Sequence, residues 1–258
     1  MKLKYHELLM PEPIVLSNIG MLRTPTVRKV VKHYVEYQTY LSMLMLTPEK
    51  YYEGHEAFEQ YDSLSIEEKQ NIHIFNLLIQ DESMVSVIEN MLGFFFDDHI
   101  QFDFEHKVFL LFSGAKDKDD KPVPTGLINE GIWNDLCNLI LQMNYVSQNE
   151  EDLSKVKNKK GLKRLERLMG LRKKNKAQKS EHDPNMELGN VISSVAADSK
   201  NLNISNIWDI TIYQLWDLFA RMRMNNFYEI HKTSVSIWGD KDKKFDSNAW
   251  FKNITIQK

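Results

Sequence analysis

Four small groupings along the 258 residues carry residue types that could do chemistry. His99 stands beside Asp97 and Asp98, with His106 across an expected hairpin turn; two imidazoles and a carboxylate can hold zinc. Polar side chains on the wet face of a hairpin give the same pattern. Asp117, Asp119 and Asp120 match the opening of a calcium loop. Pro122 occupies the place of its obligatory glycine, however, and Ile128 that of its bidentate glutamate, so a solvated acidic loop is expected. His55-Glu56 lacks the second histidine four residues on that a zinc-protease helix needs, and neither glycine-rich phosphate pattern occurs in the sequence. The one cysteine, Cys137, falls on the apolar face of an expected helix, which points to a buried structural thiol. No acid–base pair, nucleophile or ligand set emerges. The expectation is a protein that is not an enzyme and has no cofactor or metal.

Charge is the next feature that could act on a partner. Between Lys155 and Lys179 there are twelve Lys or Arg and one acid, Glu166, while the whole chain carries a net charge of −3. Lys159, Lys160, Lys163, Arg164, Arg167, Arg172, Lys173 and Lys174 are the electrostatic candidates. Such a block could neutralise phosphates by counterion release, giving salt-sensitive, sequence-blind binding. It contains no Phe, Tyr or Trp on which bases could stack. A solvated linker or docking onto an acidic protein explains it equally well, and nucleic acid is the lesser expectation. Leu162, Leu165, Leu168 and Met169 fall at helical spacing within it. The block divides the chain into residues 1–150, a basic linker at 151–201, and a tryptophan-rich module at 202–258. The sequence leaves open whether the outer two pack together.

These groups must be positioned by elements, and the spacing of apolar residues predicts mostly helices. Only 10 Gly and 7 Pro imply few tight turns. Residues 1–22 read as extended or irregular, because Pro11 and Pro13 oppose an early helix. Thr24-Pro25 reads as a helix start, followed by Val27, Val30, Val31, Tyr34, Val35 and Leu41. Thr47-Pro48 repeats the signal, and Ser65 with Glu68 forms a capping-box pattern ahead of Ile72, Phe75 and Leu78. Another helix is expected from about Glu82. The period then becomes two at Ile100, Phe102 and Phe104, predicting a single β-hairpin near residues 99–112. Asn129 caps a helix carrying Trp133, Leu136 and Ile140. Ile212, Leu215, Trp216, Phe219 and Met222 define an amphipathic helix starting near Asp209. The fold class expected is mainly α with a small β-hairpin (α+β).

Apolar and aromatic residues are the remaining excess. Tyr37, Tyr40, Leu41 and Leu44 lie in a dense run, Tyr51 follows, and four of five tryptophans fall at or after Trp208. Core packing accounts for each residue singly. As a set they suit adaptable helix-in-groove contacts. Tyr37, Tyr40, Leu41, Leu44, Tyr51, Trp216, Phe219, Trp238 and Trp250 are therefore the protein-binding candidates. The N-terminus lacks the apolar stretch of a signal peptide, and no apolar run nears the ~20 residues that span a bilayer. A soluble, cytoplasmic protein with no membrane partner is expected.

Two stretches carry a family resemblance: Thr24 to Glu53, TPTVRKVVKHYVEYQTYLSMLMLTPEKYYE, and Asn203 to Ile254, with NISNIWDITIYQLWDLFARM and SVSIWGDKDKKFDSNAWFKNI. Together they resemble tail assembly chaperones of long-tailed phages and prophages of Gram-positive bacteria. The resemblance rests on packing residues and covers about a third of the chain. It implies a non-enzymatic protein of the bacterial host cytoplasm. Such a protein binds the helical tape-measure protein until tail-tube subunits polymerise around it. It further implies self-association, contact with tail-tube protein, and in many members a frameshifted extended form. A structural tail or head–tail connector protein and a nucleic-acid-binding module are the alternatives.

Overall fold

A computed structural model describes residues 2–53, 55–146, 184–240 and 243–254. The described residues are mostly helical, 55% helix against 11% strand, with small antiparallel sheets. The basic candidates from Lys159 to Lys174 and the leucine-spaced stretch among them lie outside the described residues.

The N-terminal stretch is more regular than its prolines suggest. Helix α1 (Tyr5–Leu9) ends before Pro11, and Ile14–Leu16 (β1) pairs antiparallel with Gly20–Leu22 (β2). One turn of helix fits ahead of Pro11 and a two-stranded ribbon fits after Pro13, so the prolines do not keep this stretch irregular. Next come α2 (Val27–Lys32) and α3 (Tyr34–Leu44), separated at His33, whose ring packs edge-on against Phe94. The cap of α2 is Thr26, whose hydroxyl accepts the Lys29 N–H. Thr24 is buried instead. Short helices follow: α4 (Pro48–Tyr52), α5 (Phe58–Ser63), α6 (Ile66–Gln70) and α7 (Ile74–Leu78). Ser65 and Glu68 make the expected capping box, but the helix it starts ends at Gln70.

The middle of the chain builds the core. Helix α8 (Glu82–Phe95), capped by Asp81, buries Val85, Ile88, Met91, Leu92 and Phe95. The expected hairpin is present: His99–Asp103 (β3) pairs with Val108–Phe112 (β4), His99 facing Phe112. A third strand, Gly126–Ile128 (β5), adds to β4. The sequence gives no warning of it, since three residues are too few to display a period. Both flanks are managed, as edge strands require: the Phe102 N–H donates to the Glu89 carboxylate, and the Leu127 N–H to the Asn18 carbonyl. Helix α9 (Glu130–Met143) starts at Asn129 and buries Trp133 against Phe75 and Phe109.

The last third joins the same core. Helix α10 (Leu188–Asp198) falls within the stretch read as linker. Leu188, Val191, Ile192 and Val195 recur at i, i+3, i+4 and i+7, and the last three are buried. Gly189, Asn190, Ser193 and Ser194 between them dilute the composition to that of a linker. Helix α11 (Ile212–Trp238) begins at Thr211, with a Thr211–Gln214 capping box, two residues past the expected Asp209. Its start lies beside that of α2: the Val27 N–H donates to the Ile210 carbonyl and the Ile212 N–H to the Pro25 carbonyl, each at 2.9 Å. These are the two stretches that carry the family resemblance. Ile207, Ile212, Tyr213 and Leu215 complete one continuous hydrophobic core with residues of the first 143.

Candidate protein-interaction surfaces

None of the chemical groupings converges. The Asp97 carboxylate is taken by a two-pronged pair with Arg23, at 2.6 to 3.1 Å. That hydrogen bonding holds its pKa below the usual carboxylate value. Asp98 is buried and accepts the Met21 N–H. His106 sits at the far end of the hairpin, 2.7 Å from Asp103. Asp117 accepts the N–H groups of Asp119 and Lys121, and Asp120 pairs with Lys116. Among the described residues no group of three or more His, Cys, Asp and Glu could hold a metal ion. Cys137 is buried, and desolvation pushes its thiol pKa up. No helix among the described residues is long and apolar enough to cross a membrane.

The protein-binding candidates divide three ways. Tyr37, Leu41 and Leu44 belong mainly to the chain's own interior, only 3–8% exposed. Helix α3 turns that face toward α9 and Phe94, and the Tyr37 hydroxyl donates to Asn144 in the core. Burial pushes the Tyr37 phenol pKa up. Tyr40 and Tyr51 are half-buried, Tyr40 on the Phe94 ring and Tyr51 against Tyr52 and His55. Trp216 and Phe219 are also half-buried, ring edge to ring face. Trp238 and Trp250 are open to solvent, 77% and 51% exposed.

Two surfaces result. The first is a groove of about 440 Å³ where α3, the end of α9, and the starts of α10 and α11 meet. It brings together the edges of Tyr37 and Leu41 with Trp216, residues nearly 180 positions apart in the chain. Tyr34, Tyr145, Val146, Met186, Leu188 and Ile212 complete its apolar lining, and Gln38 and Asn144 are its polar members. Tyr145 and Trp216 present near-parallel rings, 17° apart. Of the lining residues, Tyr34 is exposed.

The second surface is the outer half of α11. Twenty-seven residues at 1.5 Å each make a rod of about 40 Å, and beyond Asp217 no residue of it is fully buried. One flank is covered by the strap 243–254, where Phe245 packs on Tyr228 and His231. The strap is tied at its far end by Arg221, which donates to the Lys252 carbonyl and to the Tyr5 hydroxyl. Tyr5 in turn donates to buried Asp217 at 2.8 Å, locking α1 onto the base of the rod. The other flank leaves Phe227, Ile230, Ile237 and Trp238 between 64% and 77% exposed. The first three escape a sequence reading that follows the amphipathic pattern only as far as Met222. Their own spacing continues it.

Residues 173–255 match a family model described as the YomV second domain. The match spans less than half of the chain, and within it lie α10, α11 and the strap. No curated protein and no solved structure matches the chain. YomV comes from a Bacillus prophage, so the last third of this chain is similar to a phage-associated domain.

Proposed function

We propose that this protein is a phage tail assembly chaperone that binds the tape-measure protein and promotes tail-tube assembly without performing chemistry. The observation that supports it most is the aromatic groove, which draws its lining from both stretches that carry the family resemblance. A helical client segment placing one or two apolar side chains between Tyr34, Tyr145 and Trp216 would bury them by helix-in-groove contact. The phage association of the matched family points the same way. Co-expression tests the reading: the full chain should keep the tape-measure protein of the same phage in the soluble fraction. Trp216→Ala together with Tyr34→Asp should weaken that effect about tenfold or more, since the loss of even one of the two aromatic anchors costs that much. An insoluble tape-measure protein in the presence of the parent chain would refute the function. Undiminished rescue by the double variant would refute the groove as its seat.

A further inference from the structure

We infer that residues 184–254 are a docking module whose partner is the face of residues 1–146, held there by contacts alone, so that a separate chain carrying the module takes the same seat. The matched family model treats residues 173–255 as a domain, yet this stretch does not complete a core by itself. Ile207, Ile212, Tyr213 and Leu215 are at most 3% exposed and belong to the hydrophobic core shared with the first part of the chain. Helix α2 packs on Ile207–Asp209 and on α11, and α1 packs on α11 as well. The Tyr213 ring lies 5.2 Å from that of Tyr145.

Polar ties give the seat one orientation. Around the bridge between Thr26 and Thr211, the Val27 N–H donates to the Ile210 carbonyl and the Ile212 N–H to the Pro25 carbonyl, both at 2.9 Å. Backbone pairing of this kind is blind to sequence, so side chains must set the register. Arg28 donates to Asp209 at 2.8 and 3.2 Å, and the Gln214 amide to the Leu9 carbonyl at 2.8 Å. The Tyr5 hydroxyl donates to buried Asp217, also at 2.8 Å. These ties fall within the roughly 5–15 direct hydrogen bonds of a specific protein interface. None of them involves residues 147–183. The connection therefore raises the effective concentration of the module without forming its seat.

The test cuts the full chain after folding, at a protease recognition sequence inserted between Leu153 and Ser154. At micromolar concentration the two pieces should leave a size-exclusion column as one 1:1 complex. Their separation in native buffer would overturn the inference. A labelled C-terminal piece, freed from cut chain in urea and diluted into unlabelled cut pair, should exchange into the complex; no uptake would also overturn it. Tyr5→Phe with Arg28→Ala should raise the dissociation constant of the cut pair about tenfold or more, the loss of one hydrogen bond to a buried carboxylate. The uncut variant should keep the parent circular dichroism spectrum, since the Arg28 side chain is half exposed and Tyr5→Phe removes one oxygen. Equal dissociation constants in parent and variant would overturn the seat as described. No client is present in these readouts, so this inference and the chaperone reading can fail separately.

Discussion

Two glycine-to-alanine substitutions should move stability in opposite directions, and their difference tests how the β1–β2 ribbon is seated. At Gly126 a Cβ would fall inside the van der Waals envelope of the Ile19 carbonyl and 2.9 Å from the Ile19 Cα. The obstructing atoms are backbone, so no rotamer change can relieve them. The turn between β1 and β2 must lift off β5, and the bond from the Leu127 N–H to the Asn18 carbonyl, 3.0 Å long, goes with it. Overpacking costs about 1–3 kcal/mol and a lost hydrogen bond about 1, so Gly126→Ala should destabilise by about 2–4 kcal/mol. At Gly93, inside α8, nothing lies within 4 Å of the added methyl. Helix propensity alone then acts, and Gly93→Ala should stabilise by about 0.5–1 kcal/mol. For a chain of this size each kcal/mol shifts the melting temperature by about 2–4 °C. Circular dichroism melts should show Gly126→Ala roughly 5–15 °C below the parent, and Gly93→Ala slightly above it. Equal shifts of the same sign at the two sites would refute the close approach of Ile19 to β5.

Other consequences are as direct. Tyr5→Phe removes a donor from buried Asp217 and should cost about 1–2 kcal/mol in urea unfolding. Trp133→Ala, in the fully packed cluster with Phe75 and Phe109, should cost about 3–5 kcal/mol. Asp97→Asn should cost under about 1 kcal/mol at neutral pH, because the Arg23 pair is partly exposed. The folded Asp97 carboxyl titrates below its unfolded value. Its contribution is thus present above about pH 4 and lost as pH falls through the folded pKa, so parent and variant should converge in acid. Cys137 should ignore a thiol reagent in the native chain and react fully in guanidinium; rapid native labelling would contradict its burial.

Elements with a long or strongly patterned signal could be read from the sequence. The helix from about Glu82, the helix capped by Asn129, the β3–β4 hairpin and the base of α11 all follow from period and cap residues. What could not be read has identifiable causes. Strands of three residues, such as β1, β2 and β5, are shorter than any countable alternation. Helix α10 hid behind Gly189, Ser193 and Ser194, because a linker and a small-residue helix share a composition and differ only in the placement of four aliphatics. The interaction candidates were the hardest to sort. A dense apolar run at Tyr37–Leu44 looks the same whether it faces inward or outward, and the burial of Tyr37, Leu41 and Leu44 follows from the position of Phe94 and Asn144, over fifty residues away. Trp238 is exposed for the converse reason: among the described residues, α11 outruns the elements that could cover it.

The side-by-side starts of α2 and α11 set an order on biogenesis. Thr26 and Thr211 meet although they stand 185 positions apart, so the first helices leave the ribosome long before the backbone that seals them exists. The nascent N-terminal portion must wait with Val27, Val30 and the Tyr37 side of the interior only partly shielded. A product terminated ahead of residue 188 would keep that deficit permanently, and should be captured by cellular folding factors or degraded where the full-length polypeptide accumulates.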